Sequence, residues 1–332
     1  MEEPRRRRHP LRAKGGGNSV QAEVIITKVR AFLPTQGKGL ALIFTLLVGV
    51  FVPQAHSLTF LIRYLLMVML FFAFLGIDFD LRSFPKNVIW ILFLNLAIAF
   101  GGYAVLAPYN TNLALAAFMT AAAPTAIAAP VITAFVQRRV EYVVASVILT
   151  NLASAFVIPT VLPALLGSGI RISVGEVLRP VLIVMLVPLI LARLASRLPA
   201  GTQNRIRRGK AISFPLWIAN VFIISANASY YLRSSSTDSI PALAAIALIS
   251  LLLCLINFSA GFLLGGHNFW QEAGQSLGHK NLSFVIWIAL AFINPMVALG
   301  PTFYLLYHHL YNAWLIQHFE RARISNPRRD PL

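Results

Sequence analysis

The 332-residue chain has a single cysteine, Cys254, and only 11 acidic residues against 28 Lys and Arg. One cysteine excludes a disulfide framework within the chain, and a thiolate metal site would lack ligands. Charged residues make up 12% of the chain, where a soluble domain carries about 25%. The sequence also lacks H-E-x-x-H, G-x-S-x-G and any histidine-box array. Neither a zinc hydrolase nor a nucleophile-elbow enzyme is indicated, and no enzyme is expected. His308 and His309 are adjacent, but no other His or carboxylate lies at ligand spacing, so no metal centre is expected there.

What fills the chain is apolar residues, 58% of it. Spans of about 20 residues suit a bilayer, and ten of them use roughly 200 positions. That leaves short connections and no separate soluble domain. The expected organisation is a basic cytoplasmic tail over 1–38, a ten-span integral domain over 39–320, and a second basic cytoplasmic tail over 321–332. The first tail is Gly-rich and polar, with no small-residue cleavage site after the first hydrophobic run, so it reads as retained.

The net charge of +17 and the run Arg5 to Arg8 invite a nucleic-acid reading. The distribution argues against it. If the N-terminus is inside and ten spans alternate, 23 of the 28 Lys and Arg fall in inner loops and tails and two, Arg171 and Arg233, in outer loops. The remaining three, Arg63, Arg179 and Lys280, fall inside spans. This is the positive-inside pattern, with both termini cytoplasmic, and it makes the partner a lipid bilayer and not nucleic acid. A bacterial inner membrane is the expected location.

The spans read as Leu40–Val52, Leu58–Ile77, Val88–Leu106, Leu113–Val136, Tyr142–Leu166, Val174–Ala192, Ala211–Tyr231, Ile240–Leu264, Ser276–Pro295 and Met296–Gln317. The fourth contains AAAPTAIAAP, and Pro124 and Pro130 should break or kink it. The ninth opens on SLGHKN, placing Gly278, His279, Lys280 and Asn281 inside an apolar run. A lysine at that depth costs several kcal/mol unless it faces a cavity or a partner, with scales running from about 3 kcal/mol upward. An odd number of spans per half gives the halves 39–166 and 172–320 opposite orientation. The interrupted spans then hold the same place in each, fourth and ninth, as in inverted-repeat transporters whose broken helices cross near the midplane.

With the order of spans, the segments LGIDFDLRSF, AAPTAIAAPVIT, SVILTNLASAFVIPTVLP and GHKN resemble the bile acid:sodium symporter family, whose superfamily also holds arsenite efflux permeases and auxin-type carriers. The resemblance covers nearly all of 39–320. It implies an all-α fold of ten helices in two inverted five-helix repeats. It also implies a secondary transporter that moves a small organic anion by alternating access, as a monomer or homodimer. Sodium-coupled members use a Ser-Asn pair in span four, Ser and Thr in span five, and Glu, Gln and Asn in span nine. Here Ser146, Thr150 and Asn281 match and would form any sodium site, whereas Ala129, Pro130, Ser276 and Lys280 stand where the other ligands are expected. In a shifted register Glu272 and Gln275 would serve, before the broken turn.

Those departures put sodium coupling in doubt and leave a proton, or no coupling ion, open. A site that has lost a carboxylate and gained an ammonium has a built-in cation. Lys280 could pair with an anionic substrate, carry a proton, or simply bond to carbonyls at a helix end. Thr125, Gly278 and Asn227 complete the candidate substrate and ion-binding residues. Polar stripes at helical spacing, Ser146, Thr150 and Ser154 on span five and Tyr304, His308 and Asn312 on span ten, face protein or water, or act as interhelical glue. Asn220 and Asn257 are further cavity candidates. An arsenite- or auxin-type efflux carrier and a non-transporting membrane sensor are the alternatives, and the lone cysteine argues against a thiolate arsenite site.

Overall fold

Apolar runs interrupted by proline, glycine and asparagine fold here as a stack of helices. A computed structural model describes residues 41, 44–75, 85, 87–167, 172–234 and 239–325. The tail over 1–38, most of Asp78–Lys86 and the Arg171 loop lie outside the described residues. Among the described residues the chain is all-helical, and six helical stretches are long and apolar enough to cross a membrane.

Helix α1, residues 44–51, ends before Pro53. The sequence reading puts a loop there, but Pro53–Leu61 is a 3-10 helix running directly into α2, Ile62–Leu75. Side chains satisfy its carbonyls: Ser57 Oγ donates to Gln54 O at 3.1 Å, and His56 Nδ1 lies 3.0 Å from Pro53 O. His56 also stacks on Tyr230 at 3.6 Å between ring centroids. Helix α3 is Val88–Leu106, and α4, Thr111–Ala122, starts where Asn110 Oδ1 accepts from Leu113 N at 3.1 Å. After a break over 123–128 comes α5, Ala129–Phe135, with Pro130 in its first turn. Pro124 therefore breaks span four, and Pro130 starts the next helix where its missing N–H is no loss.

Helix α6 is Val140–Leu166; α7, Val174–Ala195, opens with a capping box in which Ser173 and Glu176 satisfy each other's backbone N–H. The segment between the expected sixth and seventh spans, Arg193–Lys210, contains a surface helix, α8, Ala200–Arg208, and a 3-10 turn, Gly209–Ile212, then leads into α9, Ser213–Ser234. The stretch Ser239–Gly278 is two helices meeting at a kink, with Gly266 at φ 55° and Phe269 out of helical geometry. They are α10, residues 239–265, and α11, residues 270–278. Span nine therefore begins near Trp270 and not at Ser276, and QEA belongs to a buried half-helix instead of a loop. The chain then turns through 279–281 into α12, Leu282–Phe292, and closes with α13, Pro295–Ser325, which passes the expected boundary at 320.

Two bundles result. Helices α7 and α9 each pack on α2, with the 3-10 helix against α9 and α2, while α3 to α6 pack with α10 to α13; α7 on α6 and α9 on α13 join the two groups. The second bundle holds both interrupted segments. Many outward side chains are apolar, among them Leu263 at 83% exposure and Phe51 at 76%, which suits lipid and not water.

Two G-x-x-x-G pairs line the contact of α10 with α11: Gly261 and Gly265 admit the α11 backbone, and Gly274 and Gly278 admit the rings of Phe262 and Phe258. A Cβ on Gly261 would sit 2.6 Å from Ala273 O and 2.7 Å from Gly274 Cα. Such small-residue seams are how helices associate where lipid supplies no hydrophobic drive. Gly261→Ala should lower stability by about 1–3 kcal/mol through overpacking, read as a lower melting temperature in detergent. Gly101→Ala, with nothing within 4 Å of the added Cβ, should leave it unchanged.

Candidate functional site

The two interrupted segments meet as backbone. Ala126 N donates to His279 O at 2.7 Å and Asn281 N donates to Pro124 O at 2.7 Å, pairing Thr125 with Lys280 in one antiparallel bridge. Pro124 cannot donate and Gly278 ends α11, so both chains leave helical geometry at the same place. Irregular backbone inside an apolar protein must find partners for its freed groups.

The carbonyls from Ala121 to Thr125 are all accounted for. Lys280 Nζ donates to Ala121 O at 2.8 Å and to Ala123 O at 3.2 Å. Ala122 O accepts from Ser154 Oγ at 3.2 Å and from Asn95 Nδ2 at 3.4 Å. Pro124 O is held by Asn281 N, and Thr125 O by Asn151 Nδ2 at 2.9 Å. The third proton of Lys280 goes to Asn95 Oδ1. Three ammonium donors thus meet three oxygens, two of them at the carboxyl end of α4, where the helix dipole is negative and a cation is favoured.

Lys280 is buried, at 2% exposure. Of the alternatives open in the sequence, this geometry is the carbonyl-bound one. The ammonium sits behind the crossing, its donors committed to protein, and is not free to pair with a solute. The crossing residue that keeps partial exposure is Asn281; on the other broken segment Ile127 is partly exposed and Ala128 exposed.

The residues matched to a sodium site have other work. Ser146 Oγ donates to Tyr142 O at 3.1 Å, and Thr150 Oγ1 donates to Ser146 O at 2.7 Å while accepting from Thr125 N at 2.9 Å. Asn281 Nδ2 approaches Asn151 Oδ1 at 3.4 Å. Ser276 O accepts from Thr125 Oγ1 at 2.6 Å, and Gly278 O from Tyr304 OH at 2.8 Å. Gly278 also lies under Phe258, whose ring a Cβ would meet at 2.4 Å. Ala129 is buried in α5, and Pro130 beside it serves that helix's start. Asn227 is not brought to the crossing: it donates to Thr59 Oγ1 at 2.7 Å, within the other bundle.

Sequence reasoning missed Asn95 and Asn151. Asn95 is the lone polar residue in VIWILFLNLAIAF, and that isolation is the signal that could have found it, because a buried amide in an apolar span needs a partner. Thr125→Val should cost about 1 kcal/mol by leaving Ser276 O without its hydroxyl donor. Thermal melts should show Thr125→Ser, which keeps the hydroxyl, close to the unsubstituted protein.

Compared with family models and with curated proteins, the sequence matches none.

Proposed function

We propose that the chain is a secondary transporter that moves a small organic anion by alternating access, with Lys280 in the place a coupling cation would take. The observation that carries the reading is the paired crossing of two interrupted helices, Thr125 against Lys280. Broken helices meeting at mid-depth are the recurring substrate-site architecture of membrane carriers, because such backbone is tolerated only where it lines a site. The bundle of α3 to α6 with α10 to α13 then rocks against the bundle of α2, α7 and α9. The ten spans, the inverted repeats over 39–166 and 172–320, and cytoplasmic termini belong to the same proposal, supported by the positive-inside count.

Anion preference rests on the amino-terminal end of α12, which begins at partly exposed Asn281 and carries the positive pole of that half-helix. Asn281, and not Lys280, is the solute-facing group in this account. Sodium independence rests on the ammonium: the oxygens of Ala121, Ala123 and Asn95 that would attract an ion already surround one.

Uptake of a panel of labelled organic anions into proteoliposomes tests this, under an imposed sodium gradient and separately under a pH gradient. The expected result is uptake of at least one anion, indifferent to sodium, with Asn281→Leu raising KM about tenfold by removing the amide at the helix end. Uptake of none, by protein that melts cooperatively, would favour the sensor alternative.

A further inference from the structure

Around α8 the chain carries charge of one sign only. From Val177 to Thr237 there is no Asp or Glu, while Arg193, Arg197, Arg205, Arg207, Arg208 and Lys210 fall between 193 and 210. The nearest acids in sequence are a whole helix away. Glu176 stands in the first turn of α7, and Asp238 follows the end of α9. Like charges gathered without carboxylates repel one another, so such a surface is stabilised by counter-charge from outside the segment.

The helix is fastened along one side. Gln203 Nε2 donates to Ser196 O at 2.8 Å and to Leu198 O at 2.7 Å, which ties α8 across the end of α7. Ile206, one turn on, packs against the core. The 3-10 turn that follows rests on α2 and α9, and a Cβ on Gly209 would meet the Phe72 ring at 3.0 Å. Residues 203, 206 and 209 recur every three positions and so mark the attached side. Asn204, Arg205, Arg207 and Arg208 are left exposed.

Apolar side chains at either end of α8 fix its depth. Ile183, Val187, Ile190, Leu194 and Leu198 are exposed and recur every three or four residues along α7 and the turn after it, a stripe suited to lipid. The stripe stops at Leu198, and α8 begins two residues later, at Ala200. Apolar surface resumes at Ile212, which is 49% exposed, just before α9. The basic helix therefore stands where contact with hydrocarbon gives out, at the level of the lipid headgroups. Arg and Lys suit that level because their stems lie over apolar surface while their charged ends reach phosphate.

We propose that α8 is a dock for anionic phospholipid, whose headgroups are held by Arg197, Arg205, Arg207, Arg208 and Lys210. A guanidinium fork gives a phosphodiester two parallel hydrogen bonds, and four of the five residues are arginine. Because α8 is fastened to the end of α7 and, through the 3-10 turn, to α2 and α9, bound lipid holds those three helices against the leaflet. The dock goes beyond the transporter reading and needs no transport; only the choice of leaflet follows from the orientation given by the Lys and Arg count.

The full chain carrying Asn204→Cys takes a fluorescent label on the exposed side of α8, since Cys254 is buried. In proteoliposomes, phosphatidylglycerol bearing a nitroxide should quench that label at about a tenfold lower mole fraction than phosphatidylcholine bearing the same nitroxide, because choline's ammonium cancels its phosphate. Molar salt should shrink the difference. Arg205→Gln, Arg207→Gln and Arg208→Gln together should remove it, each basic residue near an anionic surface being worth about fivefold in binding. Equal quenching by the two lipids, or a preference that survives the triple variant, would overturn the dock. So would a preference that appears only with Asp78→Asn and Asp80→Asn, because the chain's own acids after α2 would then be the counter-charge. Lipid preference without uptake of any anion would overturn the transporter reading and leave the dock standing; uptake without lipid preference would do the reverse.

Discussion

Lys280→Met is expected to lower stability by several kcal/mol and to eliminate anion uptake. The substitution leaves Asn95 Oδ1, Ala121 O and Ala123 O facing a thioether where three donors stood. Each buried acceptor stripped of its donor costs about 1–3 kcal/mol. The loss falls on the end of α4, whose carbonyls hold the crossing, so the broken segments should separate before the helices melt. Thermal denaturation in detergent checks the first effect, and uptake in proteoliposomes the second. Lys280→Gln should be milder, because its amide still offers two protons to the same oxygens. A melting temperature unchanged by Lys280→Met would mean that the ammonium is not bound where the structure places it.

Asn95→Leu should be nearly as damaging although no reading of the crossing's own sequence points to it. It removes an acceptor from a buried ammonium and a donor from Ala122 O. Removing one partner of a buried charge is worth about 3–5 kcal/mol in ion pairs, and a neutral partner should fall toward the lower end. Because Asn95 and Lys280 share one network, the double variant Asn95→Leu, Lys280→Met should lose less than the two single losses together, with a coupling of about 0.5–3 kcal/mol. Additive losses would show that the pair does not interact. Asn95→Asp, which keeps an acceptor for the ammonium but loses the amide donor to Ala122 O, should melt between Asn95→Leu and the unsubstituted protein.

Much of the scaffold was legible because membrane helices announce themselves by length and apolarity. Val88–Leu106 and Val174 onward needed only that. The first break was legible in Pro124, and Lys280 was conspicuous as a charge with no apolar excuse. Other parts were not, for physical reasons. The polar run from Gln271 to Gln275 falls between the expected spans, yet it is buried because α10 can approach it through Gly261 and Gly265. Span nine therefore starts earlier than its hydrophobicity suggests. The 3-10 helix at Pro53–Leu61 replaces an expected loop because its own side chains cap its carbonyls. The partner of Lys280 lies 185 residues away, and no local pattern encodes such a distance. Of the sodium residues expected from the family resemblance, Thr150 is at the crossing, where it accepts from Thr125 N, while Ser146 bonds back to Tyr142 O within its own helix.

The most direct test of the account compares anion uptake in sodium and in choline media for the unsubstituted protein and Lys280→Gln. If Lys280 stands for the coupling cation, the unsubstituted protein transports equally in both. Lys280→Gln then falls about tenfold in choline and recovers part of that loss in sodium, because the emptied oxygens of Ala121, Ala123 and Asn95 can take an ion. Sodium-dependent uptake by the unsubstituted protein, unaltered by Lys280→Gln, would contradict it.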